Sequence, residues 1–187
     1  MKQFALKGFD GCSVDLIAAQ AGVNKATIYY HFGDKASLYE EVLEENLGRF
    51  LARVEEAVGR EETPEAKLEA FAGSYAANFS RNRAMAPLML RELAADGAHL
   101  TGGTRALLRA IIQVVDDILA EGVRTGVFRK TATFLSYFMI VGSMNIYTST
   151  AGMRKHFQGD GDAFGFAISP EDAAKEIATI VTGGLKK

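Results

Sequence analysis

The sequence predicts an all-α protein, and three observations support this fold class. Only three prolines occur in 187 residues, at Pro64, Pro87 and Pro170, so long stretches contain no helix breaker. Apolar residues recur at intervals of three and four, and no segment alternates apolar and polar residues as a half-buried strand would. Capping residues and glycines stand where such helices should begin and end. We therefore expect about nine helices and no sheet.

The first sixty residues predict four of these helices. A short helix carrying the apolar residues near Phe4 comes first, and a second follows Ser13 and ends at Gly22, a residue type that accepts positive φ. Asn24 is a natural N-cap for a third short helix, "KATIYYHF". Asp34 should cap a fourth, long helix over about residues 35–58.

Five further helices are predicted in the rest of the chain. The first carries an apolar stripe from Leu68 to Phe79, the second covers about 84–95, and the third begins near Leu107 and stops near Gly122 to Gly126. The last two lie at about 132–150 and 170–184. The helix at 132–150 is apolar nearly all round, so we expect other helices to cover it on several sides. Its apolar core, 133–147, is shorter than the roughly 20 residues of a membrane span, so no membrane association is expected.

Composition and charge limit the kinds of function that the protein can have. The net charge of −2 gives no overall attraction to nucleic acid, so DNA binding would require a local positive surface. The single cysteine, Cys12, excludes an internal disulfide and a Cys-rich zinc site. Cys12 could be a redox sensor, although an inert thiol is the favoured interpretation. We expect a cytoplasmic protein without a cofactor.

One segment resembles a calcium loop, yet we expect no metal site. Asp160, Asp162, Gly165 and Glu171 fall at calcium-loop positions 1, 3, 6 and 12. Position 5 is Phe164 rather than Asp or Asn, and Ser169-Pro170-Glu171 is fully explained as a helix start.

The two short helices joined by "AGVN" have the dimensions of a helix-turn-helix. In that motif the first residues of the second helix face base edges, here Lys25, Ala26 and Thr27. Lysine donates to guanine, alanine contacts the thymine methyl group, and threonine bonds to a base or a phosphate. The candidates for phosphate contacts are Ser13, Tyr29, Tyr30, His31 and Lys35. His31 could instead pack against the helix end.

The stretch "SVDLIAAQAGVNKATIYYHFGDKASLYEEV" resembles the DNA-binding domain of the tetracycline-repressor (TetR) family. The matching residues are Ile17-Ala18, Ala21-Gly22-Val23, Ile28-Tyr29-Tyr30-His31-Phe32, Lys35 and Leu38. The resemblance implies a helix-turn-helix domain at residues 1–47 and a helical ligand-binding and dimerisation domain at 48–187. It also implies DNA contacts at Lys25, Ala26, Thr27, Tyr29, Tyr30, His31 and Lys35.

By this resemblance the protein is a homodimeric repressor that a small, mostly apolar effector releases from a palindromic DNA operator. The helices near 132–150 and 170–184 would form the dimer interface. An activator or a corepressor-dependent regulator fits the same pattern, and a helical ligand carrier or enzyme with a vestigial helix-turn-helix is a remote alternative. The family's first helix usually begins some ten residues earlier. Either the start lies upstream of Met1, or the N-terminal phosphate contacts are weaker.

Candidates for the ligand pocket come from the apolar helices. They are Phe71, Tyr75, Met89, Arg91, Glu92, Leu108, Ile111, Phe134, Tyr137, Phe138 and Asn145. Each apolar member could equally be an ordinary core residue. Arg91, Glu92 and Asn145 stand in otherwise apolar helices, so they are candidates to orient a polar group of the ligand.

Overall fold

The computed structural model describes residues 1–157, 162 and 164–187, and this part of the chain confirms the all-α prediction with ten helices. The helices are α1 Lys2–Gly11, α2 Val14–Ala21, α3 Lys25–Phe32, α4 Lys35–Gly59, α5 Pro64–Arg81, α6 Met85–Ala94, α7 Gly102–Arg124, α8 Thr133–Ser149, α9 Ala151–Arg154 and α10 Pro170–Leu185. The expected count of nine lacked the four-residue α9.

Local capping sets the boundaries of the N-terminal helices. The side chains of Ser13, Asn24 and Asp34 accept backbone N–H groups at the starts of α2, α3 and α4. At Asp34 the bond from the Ser37 amide lowers the pKa of the carboxyl group, because the charged form is the better acceptor. Gly22 ends α2 with φ 69°, in the left-handed region that glycine adopts without strain.

Helix α4 connects the two halves of the molecule. Its first turns pack against α3 through the buried Leu38, and its later turns pack against α5 and α7 through Phe50 and Val54. The helix runs without interruption through residue 47. The division into 1–47 and 48–187 therefore stays a prediction, and a shift of α4 would move both halves.

The larger half is built around α5, which packs against α4, α7, α8 and α10. Phe71 and Leu68 of α5 are fully buried at its centre. Phe128 folds back beneath the end of α7, where a Cβ atom on Gly122 would lie 2.0 Å from the Phe128 ring. Position 122 therefore has room only for glycine.

Helices α8 and α10 pack side by side, and both carry exposed apolar side chains. Leu135 and Met139 of α8 and Ile180 of α10 are all more than half exposed, and we call these residues the uncovered face of α8 and α10. The expectation that other helices cover α8 on several sides is confirmed, since α8 packs against α5, α6, α7 and α10, although one of its faces stays exposed. In the described residues no helix is both long and apolar enough to cross a membrane.

The calcium-loop candidate lies partly outside the described residues, since Asp160 is among those left out. The Asp162 carboxylate accepts hydrogen bonds from the amides of Phe166 and Ala167. Ser169 caps α10 through the amide of Asp172, as the helix-start interpretation predicted.

Candidate DNA-binding surface and effector cavity

In helix α3 only Ile28 is buried, and Phe32 is half-buried. The remaining six side chains are exposed, and all six are predicted DNA contacts: Lys25, Ala26, Thr27, Tyr29, Tyr30 and His31. The helix therefore presents one continuous polar and aromatic face to solvent. We refer to α3 as the recognition helix.

Lys25 at the start of the recognition helix is paired within the protein. Its Nζ atom lies 2.7 Å from a carboxylate oxygen of Asp15 and 5.8 Å from the ring centre of Tyr29. The hydrogen bond to Asp15 raises the pKa of Lys25, so this position keeps its positive charge. Asp15 consequently competes with any phosphate or base for the Lys25 ammonium group.

Tyr30 and His31 are free to contact a ligand outside the protein. Tyr30 is 85% exposed, and its ring meets the His31 ring edge-on with centres 5.3 Å apart. The His31 ring is exposed as well and has only an edge contact with Phe32, at 6.4 Å between centres. Packing against the helix end therefore leaves most of the imidazole accessible.

Ser13 and Lys35 have structural roles within the protein, and the sequence did not reveal that of Lys35. The Ser13 hydroxyl accepts the Leu16 amide as the cap of α2. The Lys35 ammonium group donates to the carbonyls of Phe9 and Cys12, at 2.9 and 3.2 Å, and lies 4.4 Å from the centre of the Phe9 ring. Lys35 thus holds the end of α1 against the start of α4, so any phosphate contact at Lys35 is additional to that bond.

Cys12 is buried beneath this contact, with 2% of its surface exposed. Burial raises the pKa of its thiol, and the nearby Lys35 charge only partly opposes the effect. A buried, protonated thiol is a poor nucleophile, which supports the interpretation of Cys12 as inert.

A cavity of about 580 Å³ lies between α4, α5, α6, α7 and α8, and we call it the effector cavity. Most predicted ligand contacts lie in its wall: Tyr75, Met89, Glu92, Leu108, Phe134, Tyr137, Phe138 and Asn145. The other three do not. Phe71 and Ile111 are buried outside the wall, and Arg91 points toward α1.

The wall also contains residues that the sequence reasoning missed. They include Leu47 and Phe50 of α4, Leu90 and Leu93 of α6, Ile112 of α7, and Val141 of α8. No sequence signal separates these apolar residues from ordinary core residues. Their position shows that α4 itself forms part of the cavity.

Two tyrosine hydroxyls stand in this mostly apolar wall. The Phe71 ring packs against Tyr75 and Tyr137, with centres 5.5 and 6.4 Å away. Burial raises the pKa of both tyrosines. Both hydroxyls therefore stay neutral, and they can donate to a polar atom of a bound molecule.

Glu92 connects the effector cavity to α4. This carboxylate lines the cavity, is only 3% exposed, and accepts a 2.5 Å hydrogen bond from the Tyr39 hydroxyl. His99 approaches the same carboxylate through its amide, at 3.3 Å, and its ring Nδ1, at 3.2 Å. Burial, and then the bond to Glu92, raise the pKa of Tyr39, which remains a donor. The side chains form a buried polar bridge from α6 to α4.

A second bridge joins α6 to α1. The chain leaves helical geometry at Gly8, with φ 73°, so α1 consists of two short helical pieces. The carbonyls at the end of the first piece lack partners within a helix. The Arg91 guanidinium donates to two of them, on Ala5 and Leu6, at 2.9 and 2.8 Å. Neighbouring residues of α6 therefore hold α1 and α4.

An exposed recognition helix and a large apolar cavity in one all-α chain define a helix-turn-helix DNA-binding protein with a ligand-binding domain. Residues 1–42 match the family model "Bacterial regulatory proteins, tetR family", and residues 61–149 match "Tetracyclin repressor-like, C-terminal domain". The two matches together cover more than two thirds of the chain. The chain belongs to the tetR family of bacterial transcriptional regulators.

Several known proteins are similar to it. The fatty acid metabolism regulator protein of Bacillus subtilis is 26% identical over 147 residues, covering 78% of this chain and 76% of that protein. The negative regulator IcaR of the Staphylococcus aureus biofilm operon is 47% identical over 38 residues, or 20% of each chain.

Two solved structures share the fold over nearly the whole chain. FadR of Bacillus subtilis in complex with stearoyl-CoA has a TM-score of 0.77 and 22% identity, covering 98% of this chain and 94% of that one. PfmR of Thermus thermophilus has a TM-score of 0.72 and 26% identity, with the same coverage.

Proposed function

We propose that this protein is a dimeric repressor that binds a near-palindromic operator through its recognition helices and is released when an apolar effector enters the effector cavity. The observation that carries the proposal is the bond between Glu92 and Tyr39. It joins a side chain of the cavity wall to α4, the helix that follows the recognition helix.

The recognition helix supplies the DNA contacts of this proposal. Lys25, Ala26 and Thr27 would face base edges in the major groove. Tyr29, Tyr30 and His31 would donate to phosphates and fix the register of the helix on the duplex. In a dimer, two such helices would enter successive major grooves about 34–36 Å apart.

The uncovered face of α8 and α10 supports dimerisation. Contiguous exposed apolar residues are typical of an interaction surface. Leu135 and Met139 are 62% and 51% exposed but do not line the effector cavity, so a ligand would leave them uncovered. A second copy of the chain would cover them with the same residues, forming a four-helix interface.

The effector class follows from the cavity. Its size lies within the range of roughly 300–1,000 Å³ that is common for ligand sites, and Leu, Ile, Phe and Met side chains dominate its wall. Flexible methionines such as Met85, Met89 and Met144 suit an extended apolar chain. A relative is named for fatty acid metabolism, and a protein of the same fold binds stearoyl-CoA. We therefore propose a long acyl chain as the apolar part of the effector.

Release would pass through α6. An acyl chain that fills the cavity would press on the wall beside Glu92, and α6 would transmit the displacement to α4 through Tyr39 and to α1 through Arg91. The distance between the two recognition helices would then no longer match the operator. By linkage, operator binding must weaken effector binding by the same factor.

The experiment has two stages. Selection of bound fragments from the source genome should recover one near-palindromic sequence, which a gel-shift titration then confirms. Stearoyl-CoA should release this operator, and butyryl-CoA, which has too short a chain to fill the cavity, should not. Failure to recover any common sequence would contradict the regulator assignment. Equal effects of the two thioesters would contradict the effector class.

Tyr39→Phe tests the bridge. This variant removes the hydroxyl donor, so we expect operator binding close to that of the original chain but release only at higher stearoyl-CoA concentration. Tyr147→Phe is the matched control, because the Tyr147 hydroxyl donates to the carbonyl of Ile168. An unchanged release curve for Tyr39→Phe would rule out the bridge as the route.

A further inference from the structure

We infer that a groove beside the effector cavity binds the phosphate groups of the effector, so that the effector is an acyl thioester with a polyphosphorylated nucleotide head rather than a free fatty acid. The inference rests on the proposed function, and it adds a second, polar half to the site. We call this surface the basic groove. Its cationic residues are Lys2, Arg49, Arg53, Arg81 and Arg83.

The basic groove concentrates positive charge in a chain of net charge −2. It has a volume of about 800 Å³, and the described residues that line it include five cationic side chains and no carboxylate. The cations come from α1, α4, the end of α5 and the segment between α5 and α6, so folding brings them together. Like charges gathered this way repel one another, and a bound polyanion would remove that cost.

Most of these cations have no partner of opposite charge. Arg49 pairs with Glu45 one turn away on α4. Across the part of the chain that the structure describes, Arg53, Arg81 and Arg83 have no carboxylate within 4.0 Å. Their guanidinium groups therefore have donors available for phosphate oxygens, which they can bind in pairs.

The basic groove and the effector cavity adjoin each other. Asn78 and Asn82 line both, which places neutral amides between the charged groove and the apolar cavity. The Asn82 amide donates to Asn46 across this boundary at 2.8 Å, and Asn46 lies in the groove. A molecule with an apolar chain and an anionic head could therefore extend through one continuous site.

The number of cations in the basic groove indicates which head group the effector carries. A fatty acid carries one carboxylate, which one or two arginines would satisfy. A nucleotide head with several phosphate groups could engage Arg53, Arg81 and Arg83 together, and its polar thioester linkage would lie beside Asn78 and Asn82. The groove therefore favours the thioester.

The basic groove is badly placed for operator phosphates. Lys35 begins α4 directly after the recognition helix, and Arg49 follows 14 residues later, about 21 Å along the helix axis. Arg53 lies a further turn away. The four arginines of the groove thus belong to the ligand-binding half of the molecule, which argues for a small polyanion.

The test compares ligands that share a chain and differ in the head. Calorimetric titration of the dimer with stearoyl-CoA, stearate and free coenzyme A should give the tightest binding for stearoyl-CoA. In the variant Arg53→Gln/Arg81→Gln/Arg83→Gln we expect stearoyl-CoA affinity to fall at least about tenfold and to lose most of its salt dependence. Stearate affinity should stay within about twofold. The control, Arg105→Gln/Arg109→Gln, changes two exposed arginines of α7 that lie outside both cavities.

The outcomes separate this inference from the proposed function. If stearate binds as tightly as stearoyl-CoA and releases the operator, or if the triple variant binds both ligands normally, the basic groove is not a head-group site while the repressor proposal stands. If the triple variant loses operator affinity without any ligand, the groove serves DNA and the inference is wrong. If neither acyl ligand binds, the inference fails together with the effector class. Circular dichroism on each variant checks that the fold is intact.

Discussion

Helices α3 and α8 both leave much of their surface uncovered, but the chemistry of the uncovered side chains is opposite. The face of α3 carries Lys25, Tyr30 and His31, which can donate hydrogen bonds, whereas that of α8 carries Leu135 and Met139, which cannot. Exposed donors fit a partner made of phosphates and base edges. Exposed aliphatic side chains gain only from removal from water. The two helices therefore predict two different partners, operator DNA and a second copy of the chain.

The largest effect is expected when carboxylates are introduced into the exposed apolar face of α8. Leu135→Asp/Met139→Asp should convert the dimer to a monomer, because two copies would bring four carboxylates together in an apolar interface. Operator affinity should fall by about 100-fold or more, since the two half-sites would no longer be bound by linked helices. Sedimentation velocity and gel shift measure both effects.

Val123→Asp on α7 is the control for the α8 variant, because Val123 is also exposed but lies outside this face and both cavities. A dimeric Leu135→Asp/Met139→Asp protein would remove α8 from the interface.

Lys35 tests which cations near the recognition helix are structural. Lys35→Ala should lower the free energy of unfolding by about 1.5–3 kcal/mol, because a charged donor to the Phe9 and Cys12 carbonyls is lost. Urea denaturation measures the change, with the exposed Lys7→Ala as control. If the variant is as stable as the original chain but binds DNA more weakly, Lys35 contacts phosphate rather than holding α1 in place.

Lys25 tests whether the polar face of α3 reads sequence. Lys25→Ala should cost about 1–3 kcal/mol at a single base pair of the operator and relax the preference there. Gel shifts on operators changed at one position at a time locate that base pair. A uniform loss across all operator sequences would mean that Lys25 contacts phosphate rather than a base.

The smallest change in operator affinity is expected from a substitution at Asp15. Asp15→Asn removes the carboxylate that holds Lys25, so operator affinity should rise about threefold, a small effect because both side chains of the pair are exposed. The rise should shrink with added salt. Glu41→Gln on α4, an exposed position, makes the same change of charge as a control. Weaker binding by Asp15→Asn would mean that Asp15 itself contacts the operator.

The sequence predicted most of the fold because the signals for helix boundaries are local. Ser13, Asn24 and Asp34 cap their own helices through amides two or three residues away. The outward face of α3 was also predictable, since Ile28 and Phe32 are its inward-facing residues and the helical period fixes the rest.

The ligand-binding half was less predictable because non-local packing decides it. Phe71 and Phe134 are the same residue type, yet one is buried outside the cavity wall and the other forms part of it. Arg91 was expected to face a ligand, but the break at Gly8 supplies carbonyls on α1 that bind it instead. No spacing in the sequence brings Lys2, Arg53 and Arg83 into one groove.

The break at Gly8 has a consequence for genetics. Any other residue at φ 73° is strained by roughly 1–2 kcal/mol, so a substitution there would favour a straight α1 whose amides bind the Ala5 and Leu6 carbonyls themselves. Arg91 would lose its acceptors while the recognition helix stayed unchanged. We expect such mutants to repress a reporter gene normally and to need more inducer for release, because only the bond between Glu92 and Tyr39 still joins α6 to the DNA-binding half. The phenotype should be dominant, because a dimer of one mutant and one original subunit would contain one subunit that responds poorly to the inducer.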